Sequence, residues 1–86
     1  MENGDIPEPA ASTERIIDVL DIPPRVRHEV IFQLFQALVP ESGFQIVVDH
    51  DPRPLRYQFQ AEFGDQVVWT YLEAGPDRWR VRIGRA

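Results

Sequence analysis

The stretch "VVDHDPRPLRYQ", residues 47–58, gathers one histidine, two aspartates, two prolines and two arginines behind a short apolar run. A second group, Arg25, Arg27 and His28, follows Pro23-Pro24. Two chemistries are open to such a set. His28 and His50 with Asp51 or Asp49 offer the imidazole and carboxylate donors that zinc or iron takes. Arg27, His28, His50, Asp51, Arg53 and Arg56 would instead surround a small anion, because planar guanidinium forks match phosphate and carboxylate oxygens. The arginines around the histidines oppose a cation. Strand alternation also turns His50 away from Asp49 and Asp51 if the strand runs that far. A third reading is purely structural. Asp51 would cap a helix, Pro52 and Pro54 would shape its first turn, and Arg53 and Arg56 would pair with Asp49, Asp51 or Glu29.

Catalysis finds little to work with. Cysteine is absent, which removes thiolate nucleophiles, thiolate metal sites and disulfides together. Ser12 and Ser42 have no histidine paired with them in sequence. An Asp–His pair is a general base only if it makes a productive hydrogen bond, which adjacency does not establish. The reading is therefore non-enzymatic, with no catalytic residues and no cofactor.

Charge narrows the partners. The chain of 86 residues has a net charge of −5, and residues 1–21 carry all of it, with Glu2, Asp5, Glu8, Glu14, Asp18 and Asp21 against Arg15. The remainder balances its arginines and carboxylates, and no lysine occurs anywhere. A neutral body with an acidic beginning lacks the basic footprint of a nucleic-acid binder. No run of about 18 apolar residues suggests a membrane span, so the cytoplasm is the expected location.

Elements must position these side chains. Residues 1–13 mix Pro, Gly, Ser and acids without apolar periodicity and read as a disordered tail ahead of one domain, 14–86. "RIIDVL", 15–20, reads as a strand. Residues 23–39 form a helix, with prolines in its first turn and an apolar stripe of Val26, Val30, Leu34, Ala37 and Leu38 widened by Ile31 and Phe35. "FQIVVD", 44–49, is the second strand, parallel to the first through a right-handed crossover. Residues 55–63 are ambiguous. Leu55, Tyr57, Phe59, Ala61 and Phe63 alternate as in a strand, yet Leu55, Phe59 and Phe63 also fall at i, i+4, i+8. Asp51 and Pro52 ahead of them favour a helix. "QVVWTYLE" (66–73) and "RWRVRI" (78–83) make an antiparallel hairpin through Gly75-Pro76-Asp77. In its last strand Trp79, Val81 and Ile83 alternate with Arg78, Arg80 and Arg82, a core face against an arginine ladder. Trp69 and Tyr71 belong to either face. The whole is α+β, a βαβαββ two-layer sandwich with two helices on one face of a four-stranded mixed sheet.

"DHDPRPLRYQFQAE" together with "WTYLEAGPDRWRVRI" resembles the signature of a bacterial family known only as domain of unknown function 2249. That family is similar in turn to the TusA/SirA-like sulfur carriers, a βαβαββ fold, which implies a helix over 52–63. The carriers depend on Cys-Pro-x-Pro opening the first helix. Here the matching stretch is Ile22-Pro23-Pro24-Arg25, so sulfur transfer is excluded for want of a thiol. Family members stand beside haemerythrin-like and cupin domains, which implies a metal or redox context.

In such a fold both strand–helix junctions lie at one sheet edge, where open α/β sheets bind ligands and two helix N-termini add positive potential. The expected function is binding or adaptor work on a partner protein or a small anion. The alternative is a metal- or redox-linked accessory domain ligated through His28 and His50.

Overall fold

A computed structural model describes residues 14–86, so the tail assigned to 1–13 lies outside the described residues. The order is β1 (Ile16–Asp18), α1 (Arg27–Gln36), β2 (Gly43–Val48), α2 (Arg53–Phe63), β3 (Val67–Ala74) and β4 (Trp79–Arg85), with short 3-10 turns before α1 and β3. The sheet runs β1-β2-β4-β3, with β1 parallel to β2 and the other pairs antiparallel. Two helices on a four-stranded mixed sheet in βαβαββ order is the architecture expected from the sequence.

β1 is shorter than its apolar run. The Asp18 carboxylate accepts from the Leu20 N–H at 3.0 Å and turns the chain into a 3-10 turn at Val19–Asp21. α1 is shorter than residues 23–39 at both ends. Pro23 and Pro24 supply no N–H, and a 3-10 turn at Pro24–Val26 replaces the first α-helical turn. At the other end Pro40 disfavours helical backbone at Val39. The buried centre of α1 is Ile31 and Phe35, with Leu34 and Leu38 flanking and Ala37 exposed.

The core fills the space between helices and sheet. Phe44, Ile46 and Val48 of β2 and Val81 and Ile83 of β4 meet Ile31 and Phe35 of α1 and Leu55 and Phe59 of α2. Four phenylalanines lock the helices together, with Phe32–Phe59 and Phe35–Phe63 centroids 4.5 Å apart and Phe35 edge-on to Phe59 at 5.4 Å. Full burial of such side chains stabilises by about 1.5–3 kcal/mol each.

Register settles the facing of β3. Trp69 pairs with Ile83 and Tyr71 with Val81, so both aromatics pack on the helix side. Val68, Thr70 and Leu72 share the open face with Arg80 and Arg82. The arginine ladder is paired there. Glu14 accepts from Arg82 at 2.6 and 2.7 Å and from Gln45 at 3.2 Å, while Arg80 donates to Gln45 at 3.0 Å. Arg78 pairs with Glu73 at 3.3 Å. Among the described residues no helix is long and apolar enough to cross a membrane.

Candidate functional site

The carboxyl ends of β1 and β2 open into a cleft of about 210 Å³ between the first turns of α1 and α2. Its apolar lining is Val19, Pro24, Ile31, Val48, Pro52, Pro54 and Leu55, and its polar lining is Arg27, His28 and His50. Both helices start at prolines, so the chain turns sharply there. Arg27 and His28 of α1 and Pro54 and Leu55 of α2 face the gap between them.

Arg27 is half-buried and fixed. Its Nε donates to the Ile22 carbonyl at 2.7 Å, which leaves the terminal guanidinium nitrogens without a hydrogen bond among the described residues. His50 is exposed, and its Nδ1 lies 2.7 Å from Asp49 Oδ1. An ionised carboxylate only accepts, so Nδ1 carries the proton and Nε2 is left as acceptor, or as a second donor once the ring is charged. The hydrogen bond from His50 holds the Asp49 carboxyl below its ordinary 3.8, with the charges of His50 and Arg27 adding to it.

The six residues singled out from the sequence divide into two groups. Arg27, His28 and His50 line the cleft; Asp51, Arg53 and Arg56 do not. Asp51 is not the helix cap either. That position is Pro52, and no side chain caps α2. The Asp51 carboxylate is turned elsewhere, accepting from the Tyr71 hydroxyl at 2.8 Å and from Arg53 at 3.2 Å. Arg56 lies over the Tyr71 ring, 5.8 Å from its centroid, rather than on a carboxylate. The alternative set His28, His50 and Asp51 does not converge. Among the described residues no three His, Asp or Glu side chains are grouped to hold a metal ion.

The backbone contributes less than two helix N-termini promise. The amides of Val26 and Arg27 are bonded to the Pro23 and Pro24 carbonyls, and the prolines have none. In α2 the Arg56 amide is bonded to the Pro52 carbonyl, and Pro54 has no N–H. The side chains that can meet an anion at the cleft are those of Arg27, His28 and His50. The cleft's apolar floor was missed from the sequence, where Val19 and Val48 read only as parts of strands, Ile31 as part of a helix stripe and Leu55 as part of an ambiguous pattern.

No curated protein and no solved structure matches the chain. A family model does match, over residues 16–85, and it takes in both junctions that build the cleft. The chain belongs to the family described as Uncharacterized conserved protein (DUF2249).

Proposed function

We propose that this chain is a non-enzymatic binding module whose cleft takes a small anion with an apolar body. One observation carries the reading: Arg27, His28 and His50 stand at the rim of a cleft whose remaining lining is aliphatic side chains and prolines. Arg27 is held by Ile22 with its terminal nitrogens unengaged, a pre-organised fork for a carboxylate or phosphate. The volume equals roughly seven waters at about 30 Å³ each, so the ligand is small. An aromatic or branched carboxylate satisfies both halves of the lining better than inorganic phosphate. The kinship with sulfur carriers extends in this proposal to the fold only, since Ile22 stands at the cysteine position.

Thermal denaturation with benzoate, phosphate and chloride at matched ionic strength tests the reading. A ligand at 100 times its Kd stabilises the folded state by about 2.7 kcal/mol. In a domain of this size each kcal/mol moves Tm by about 4–8 °C. Benzoate should shift Tm more than phosphate, and chloride should not reproduce the shift. Arg27→Ala and His50→Ala should lose most of the benzoate shift, whereas Arg53→Ala, outside the cleft, should keep it. Equal benzoate shifts in all three variants would refute the site.

A further inference from the structure

The cleft does not end at His28. That residue also lines a second, more open groove of about 410 Å³ between α1 and α2, shared with Glu29, Phe32, Gln58, Ala61 and Glu62. On each helix the cleft residues precede the groove residues. Arg27 comes before Glu29 and Phe32, and Leu55 before Gln58 and Glu62. Both helices start at the same end of the sheet, so cleft and groove form one depression that follows the seam between them.

Its two ends carry opposite charge. Arg27 is a permanent cation at the cleft end, with its terminal nitrogens unengaged among the described residues. Glu29 and Glu62 stand at the groove end, and none of the ion pairs among the described residues involves either of them. Glu29 meets only the neutral amide of Gln33, at 3.5 Å. Between the ends lies Phe32, half-buried by its packing on Phe59 and Phe63 at centroid distances of 4.5 and 5.6 Å. The helical rise of about 1.5 Å per residue sets Glu29 about 3 Å beyond Arg27 and Glu62 about 10 Å beyond Leu55. Opposite charges about 7 Å apart on one ligand would therefore meet both ends.

We propose that the ligand is bipolar, with a carboxylate at Arg27 and His50, an apolar spacer along Phe32, and an ammonium or guanidinium group at Glu29 and Glu62. This names the ligand class of the anion-binding cleft and rests on that reading. An ordinary α-amino acid fits poorly, because its ammonium stands beside its own carboxylate and would be carried against Arg27. The cation belongs at the far end of the spacer, as in an ω-amino carboxylate. Both glutamates are exposed, and exposed ion pairs are individually weak, so the selectivity is modest.

Chemical-shift titration of the full chain at low ionic strength compares benzoate with 4-(aminomethyl)benzoate, whose charges stand about 7 Å apart by ordinary bond lengths. The bipolar compound should bind about threefold tighter or more, the scale of one or two exposed ion pairs. It should also move the amides of Ala61 and Glu62, which benzoate leaves in place. Glu29→Gln combined with Glu62→Gln should erase the advantage. Glu41→Gln combined with Asp77→Asn removes the same charge at exposed positions outside the groove and should keep it. Arg27→Ala should weaken both compounds. If neither compound binds the parent chain, the cleft reading fails and this one with it. Benzoate binding with no gain from the added ammonium leaves the cleft reading standing and overturns the bipolar ligand alone. An advantage that survives the loss of both glutamates would overturn it equally.

Discussion

Replacing Tyr71 by Phe removes one atom from the contact that ties β3 to the turn after β2. The Tyr71 hydroxyl donates to Asp51 at 2.8 Å, and the Asp51 side chain is 25% exposed. A hydrogen bond to a charged group contributes about 1.5–3 kcal/mol. Water can reach the partly exposed carboxylate once the hydroxyl is gone, which sets the expectation at the low end, about 1.5 kcal/mol. The second partner of Asp51, Arg53, is 63% exposed and adds at most about 1 kcal/mol, so it cannot compensate. Phe retains the ring beneath Arg56 and the edge contacts with Trp69 and Trp79. The measured loss therefore belongs to the hydroxyl. Urea denaturation of the parent, Tyr71→Phe, Asp51→Ala and the double variant closes a thermodynamic cycle. The two single changes should overlap by about 1 kcal/mol or more, and Tm of Tyr71→Phe should fall by about 6–12 °C. A coupling below about 0.3 kcal/mol would show that Asp51 and Tyr71 act independently, and the account of this tether would fail.

Two further outcomes follow from charges. The Asp49 carboxyl titrates below its ordinary 3.8 because His50 donates to it, so His50→Ala should return it toward 3.8 in a carboxyl-carbon NMR titration. With the folded value depressed, the pair's contribution to stability is present above pH 3.8 and is lost as pH falls through the lower folded value; His50→Ala should flatten the stability profile there. The Glu14 side chain is 5% exposed against the 25% exposed Arg82, so Glu14→Ala strands a partly buried cation and should cost about 2–4 kcal/mol in denaturant unfolding. A loss under about 0.5 kcal/mol, the range of an ordinary surface substitution, would contradict the role given to that pair.

Periodicity carried most of the architecture, and the places where it stopped are specific. Over 55–63 the strand and helix patterns share Leu55, Phe59 and Phe63; they differ at Tyr57 and Ala61, both exposed in α2, so the spacing of four governs. The shortness of β1 depends on one carboxylate, Asp18, bonding the backbone two residues on, which an apolar run conceals. Strict alternation in β3 is symmetric between its faces, and only its register with β4 assigns Trp69 and Tyr71 to the helix side. For the site, proximity in sequence misled. Asp51 and Arg56 lie within a few residues of His50 but meet Tyr71, a residue of β3 brought there by the fold, and Arg53 pairs with Asp51. Arg27 and His28 line one cleft with His50 because α1 and α2 begin at the same end of the sheet, a placement that element order implies.

The floor of the cleft is made of residues that also hold the protein together. Ile31, Val48 and Leu55 line it and belong to the hydrophobic core, so trimming any of them to enlarge the cleft also removes packing from between the helices and the sheet. Related chains that come to prefer a different ligand should therefore diverge at the rim, at Pro24, Arg27, His28, His50 and Pro54, where exchange leaves the interior intact. Ligand preference and foldability are written in separate sets of positions, and only the rim is free to drift.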